Sequence, residues 1–236
     1  MPLQKPMPLQ NRVDPFGVIH AVPERGLFMG NRGIIHDPET KTLLKKRWAL
    51  QAWIICVCEF RDVRREPMGR NRQSDDQSRG KAGWTELFFL DEVTALAAGH
   101  RPCFFCRREW ARDFVRRFGM AFGIAAPRAP QVDKRLHKER LASGGQAPVV
   151  SAEELAGLPD GAMVADGGNA YAMRGGKALR WSFAGYSDPV GGDRVGDDPV
   201  GFGGFAGHPI RLLTPATTVS VLRQGYQPVW HPSAET

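Results

Sequence analysis

The period of the hydrophobic pattern changes along this chain, and the changes mark its elements. Residues 53–60 are a β-branched and aromatic run whose alternation places Ile54, Cys56, Cys58 and Phe60 on one face of a strand. The polar, Gly-containing stretch 61–83 reads as a long loop joining it to a second, antiparallel strand over Trp84–Leu90. Asp91 is then placed to cap a short helix over 92–98, and Gly99 to stop it. A helical period over 107–118 puts Trp110, Phe114, Val115 and Phe118 on one side, with Arg108, Arg112 and Arg116 nearer the other. Another amphipathic helix covers 132–141 and ends at Gly144-Gly145. The first forty residues are irregular, with turn signals at Asp14-Pro15, Gly30-Asn31 and Asp37-Pro38.

From Ala147 onward the texture becomes short β-prone runs at 162–164, 169–173, 178–183, 210–213 and 219–222. Asp166-Gly167-Gly168-Asn169 and Arg174-Gly175-Gly176-Lys177 are hairpin-turn signals. The Gly-rich stretch 190–207 reads as a surface loop. The fold class expected is α+β. An irregular tail (1–30) leads to a small αβ module (31–120), a linker with a helix (121–146) and an antiparallel β domain (147–236).

Charge sharpens this division. Residues 1–120 carry 21 Lys and Arg against 14 Asp and Glu, whereas residues 121–236 carry 11 of each, so the net charge of +7 belongs to the first half. Sixteen of those 21 cations are Arg, the side chain that grips phosphate bidentately and stacks on bases. Nucleic acid, DNA first, is therefore the expected partner; a surface that simply favours Arg as its cation is the plainer explanation. The longest apolar stretch, Ala49–Cys58, is far shorter than the roughly 20 residues a bilayer span requires. Four cysteines are too few for a disulfide scaffold, so the expectation is a cytoplasmic protein without a membrane span. No pattern bears on its oligomeric state.

Candidate chemistry concentrates in Gly99-His100-Arg101-Pro102-Cys103-Phe104-Phe105-Cys106-Arg107-Arg108. Two thiols two residues apart on a turn can bite one metal ion, and the following helix start favours thiolate. The expected zinc ligands are Cys103 and Cys106, completed by Cys56 and His36, with Cys58 as a competing thiol; alternatively, Cys56 and Cys58 are small core residues. The run from Phe88 to Arg107, a strand, an Ala-rich helix and Gly-His-Arg-Pro-Cys-x-x-Cys, resembles the second half of the Ada-type metal-binding domain of bacterial alkylation-repair proteins. His100 stands where that family usually has Tyr, and the upstream Cys56-x-Cys58 differs from the family's Cys-x-x-x-Cys. The resemblance implies Zn2+ at Cys103 and Cys106, DNA association and a link to repair. The remainder of the chain resembles no family we recognise.

Around this corner Arg101, Arg107, Arg108 and Arg112 form the expected nucleic-acid-binding face. Asp133 and His137, one helical turn apart, are the candidates for a metal-dependent hydrolase or nuclease, against a plain solvated helix. A third possibility is a non-enzymatic adaptor. No complete catalytic motif is present.

Overall fold

A computed structural model describes residues 7–72, 80–142, 147–189 and 208–235. In chain order it contains β1 (Arg12–Val13), β2 (Ile19–His20), β3 (Phe28–Asn31), β4 (His36–Asp37), β5 (Thr42–Leu43), β6 (Ile54–Val57) and β7 (Leu87–Phe89). There follow α1 (Glu92–Ala97), β8 (Arg101–Pro102), α2 (Arg108–Phe122), α3 (Ala129–Ala142) and α4 (Ala152–Ala156). The last part holds β9 (Met163–Asp166), β10 (Asn169–Arg174), β11 (Lys177–Ser182), β12 (Gly185–Pro189), β13 (Arg211–Leu212) and α5 (Ala216–Arg223), closed by a 3-10 turn at Pro232–Glu235. The class is α+β, as the periodicity predicts. Among the described residues no helix is long and apolar enough to cross a membrane.

Two sheets organise the chain. The first has the order β2-β1-β7-β3-β6-β8, and the second, β12-β11-β10-β9-β13, is antiparallel throughout. Both hairpin signals are realised: β9 pairs with β10 across Gly167-Gly168, and β10 with β11 across Gly175-Gly176. In the first sheet β3 lies between β6 and β7 and runs antiparallel to each. The strands flanking the 61–83 loop are therefore not antiparallel partners, as the sequence suggests, but parallel strands separated by a third. Residues 12–31, expected to be an irregular tail, supply that third strand and two more. Gly26 and Gly30 let it in, because a Cβ at Gly26 would sit 1.7 Å from the Phe89 carbonyl oxygen and one at Gly30 would sit 2.2 Å from that of Ile54.

The expected division into a module, a linker and a β domain does not describe the core. One cluster of buried side chains joins Phe89 of the first sheet, Phe114 of α2 and Leu136 of α3 to Val164 and Tyr171 of the second sheet and Val221 of α5. The 219–222 run is helical rather than extended. Val219, Val221 and Leu222 are all buried in α5, and burial outweighs a weak strand propensity. The stretch 190–207, read as a loop, lies outside the described residues, as do 73–79 within the 61–83 stretch.

The metal corner sits at the β8 edge of the first sheet. Asp91 caps α1 as expected, its Oδ1 accepting the Thr94 N–H at 2.8 Å and the Thr94 hydroxyl at 2.7 Å. Gly99, at φ +81°, ends the helix, and the chain enters β8. There Arg101 and Cys103 donate their N–H groups to the carbonyls of Trp53 and Ile55, and Pro102 falls at the ladder position that needs no donor.

Candidate metal centre

The parallel pairing of β6 with β8 brings Cys56 beside Cys103, although 47 positions separate them. The sulfurs of Cys56, Cys103 and Cys106 all lie within 4.8 Å of one another, and among the described residues this is the one group of three or more potential metal-ligating side chains. Cys56 and Cys103 are buried and Cys106 is half-buried. The knuckle is built by backbone hydrogen bonds. Arg107 N–H donates to the Cys103 carbonyl at 3.0 Å, and Phe105 N–H donates to the Cys103 sulfur at 3.3 Å.

Electrostatics in the trio favour a shared negative charge. The Cys106 and Cys56 thiols both donate to Cys103, and the backbone N–H groups of Cys106 and Phe105 add to this, holding Cys103 far below the usual thiol range. Donation to Cys103 correspondingly pushes Cys56 and Cys106 up, while the Val57 N–H favours thiolate at Cys106. A divalent cation would replace the protons held between the sulfurs, and three soft donors suit zinc better than magnesium or calcium.

The other two expected ligands lie elsewhere. His36 is buried in the separate β4–β5 ribbon, with its Nδ1 2.7 Å from Thr85 Oγ1, and it does not join the sulfur group. Cys58 follows the end of β6, so the alternation that would align it with Cys56 is lost. Its exposed thiol faces the Leu27 and Gly26 carbonyls at 3.5 and 3.9 Å.

The expected nucleic-acid face needs a larger correction. Arg101 is buried and makes a two-pronged ion pair with Asp133 at 2.8 and 2.7 Å. Arg107 is also buried, with both Nη atoms on the Glu92 carboxylate at 2.7 and 2.8 Å. Neither side chain can present itself to a phosphate. Both organise the corner from inside, tying β8 to α3 and the N-terminus of α2 to α1. Arg108 and Arg112 are exposed, as expected. Trp110, expected in the core beside Phe114, is instead 46% exposed, with the Arg107 guanidinium carbon 5.2 Å from its ring centre.

These contacts also dissolve the hydrolase pair. Both Asp133 oxygens are taken by Arg101, and the His137 ring packs edge-on against Trp48 at 4.8 Å, so the two side chains form no common site. The charge pattern alone does not reveal a groove of about 470 Å³ beside the knuckle. Phe104, Val115 and Pro127 form its apolar wall and Arg112, Arg116 and Arg128 its rim. Phe104 lies between Cys103 and Cys106 in sequence, so the Cys-x-x-Cys knuckle and the groove share a wall. Comparison with family models, with curated proteins and with solved structures found no match.

His100 lies in the interior behind the sulfur corner. Its ring is fully buried between Trp53 and Phe89, and its Nε2 accepts the Arg32 Nε–H at 3.3 Å. Burial, followed by the nearby Arg32 and Arg140 charges, holds its pKa well below the ordinary 6.5. The folded protein therefore keeps this ring neutral, whereas the unfolded chain protonates it below that value. Its contribution is fully present above pH 6.5 and is lost as pH falls, at a limiting slope of about 1.4 kcal/mol per pH unit. Urea unfolding should show a slope that steepens from pH 7 to that limit by about pH 5, and His100→Gln should remove it; an unchanged slope in the variant would assign the dependence to other groups.

Proposed function

We propose that the chain is a zinc-stabilised, nucleic-acid-associated protein in which Cys56, Cys103 and Cys106 hold one zinc ion that fixes the start of α2. The observation that carries this reading is the shared wall: Phe104, inside the Cys-x-x-Cys knuckle, lines a groove rimmed by three arginines and no carboxylate. An apolar trough with cationic edges suits the stacked bases and flanking phosphates of a nucleic-acid strand, DNA first. Glu109 and Asp113 pair with Arg112 and Arg116 along the helix, but such surface pairs contribute little and yield to a polyanion. All four cysteines are free, which fits a reducing, cytoplasmic setting. The partial resemblance to the Ada-type domain is in keeping with this reading and with a repair context. It does not supply a reaction.

Two measurements test it. Metal analysis of the purified protein should return one zinc per chain, lost on Cys103→Ser. Fluorescence anisotropy with a labelled oligonucleotide should show binding that weakens with salt. The pair Arg112→Glu and Arg128→Glu should weaken it by about tenfold or more and lower the salt slope by about 2. Binding that ignores salt and these substitutions would favour the protein-adaptor reading instead.

A further inference from the structure

Zinc held only for structure takes four protein donors, whereas a site with three keeps a position for an outside ligand. All four cysteines and all six histidines of the chain fall among the described residues, so every thiol or imidazole donor it owns can be located. Apart from the three clustered thiols, none joins the sulfur group. Cys58 faces the Gly26 and Leu27 carbonyls, His36 is on Thr85 and His100 is on Arg32. His20 and His208 are paired with Asp14 and Asp166, His231 with Ser233, and His137 with the Trp48 ring. No carboxylate joins the sulfur group among the described residues. The knuckle also reaches the surface: Cys106 is half-buried, and Phe105 is 70% exposed with its ring 5.1 Å from that of Phe60.

We infer that a metal ion bound by Cys56, Cys103 and Cys106 keeps one coordination position that none of the described residues fills, open to an exchangeable neutral donor. The inference rests on the trio binding metal, as proposed above. Water occupies such a position by default, and a ring nitrogen of the imidazole class displaces it. Charge sets this preference. Three thiolates on a divalent ion already leave a net single negative charge, so a neutral nitrogen adds a bond without adding repulsion, whereas a fourth thiolate deepens the excess. Phe60 and Phe105 give the exposed rim of the corner an aromatic character that suits a flat ring.

Cobalt(II) provides the test, because its visible spectrum reports both the number of thiolates and the exchange of other ligands. The full-length chain, Cys58→Ser and Cys106→Ser are each titrated with Co2+, and imidazole is then added. The expected result is the same thiolate-to-cobalt intensity in the unaltered chain and in Cys58→Ser, a loss of about one third in Cys106→Ser, and a shift of the ligand-field bands on adding imidazole. A loss of about one quarter in Cys58→Ser would show a four-sulfur site and overturn the inference. So would ligand-field bands that imidazole leaves unmoved. A chain that develops no thiolate-to-cobalt band at all would fail earlier, at the metal-binding reading itself.

Discussion

Glu92→Ala is expected to lower the unfolding free energy by about 3–5 kcal/mol. The Glu92 carboxylate is fully buried and accepts four hydrogen bonds: Arg107 Nη1 at 2.7 Å, Arg107 Nη2 at 2.8 Å, the Tyr226 hydroxyl at 2.7 Å and the Val229 N–H at 2.9 Å. Removing it strands a guanidinium that is 2% exposed without its carboxylate partner, and leaves the tyrosine hydroxyl without its acceptor. The loss therefore measures an abandoned charge more than the strength of a bond. The double change Glu92→Leu with Arg107→Met tests that distinction, since it removes both charges and should cost clearly less than Glu92→Ala alone. Urea unfolding followed by circular dichroism gives both values. A Glu92→Ala loss under about 1 kcal/mol would mean that the carboxylate does not hold Arg107 in this geometry.

The second large effect comes from a single methyl group. Gly26→Ala is expected to destabilise the fold by about 3 kcal/mol or more, because the new Cβ would lie 1.7 Å from the Phe89 carbonyl oxygen and 2.3 Å from its carbon. Those are backbone atoms of β7, so no side-chain rotation relieves the clash. Either β7 or the approach to β3 must move, and Leu27 N–H then loses its 2.9 Å bond to the Leu90 carbonyl. Because β3 also carries β6, the displacement reaches Cys56, and affinity at the proposed zinc site should fall together with stability. Gly168→Ala is the control, for nothing lies within 4 Å of a Cβ there, and a change of at most about 0.5 kcal/mol is expected. Equal stabilities for the two variants would mean that the β3–β7 contact is looser than described.

What could be read in advance divides along physical lines. The capped helix from Asp91 to Gly99, the hairpins of the second sheet and the Cys103–Cys106 pair were legible because each depends on neighbours within a few positions or on spacing within one turn. The middle strand of the first sheet was not. Phe28-Met29-Gly30-Asn31 has little strand pattern of its own and is extended because two other strands pair with it. Arg101 and Arg107 read as surface cations because their carboxylates stand 32 and 15 positions away, and only the fold brings them together. Cys58 misled for a related reason: alternation counts residues, and it says nothing about a strand that stops at Val57.

The same buried carboxylates impose an order on the making of the protein. Asp91 and Glu92 find their partners at Tyr186, His231, Tyr226 and Val229, up to 140 positions further along. At a synthesis rate of about 5–20 residues per second, the helix that leads into the thiol corner waits about 7–28 seconds for the last of them. During that interval the nascent chain exposes three thiols and two carboxylates destined for the interior. The sulfur corner is translated well before the partners of its leading helix, and that helix is completed only when they arrive.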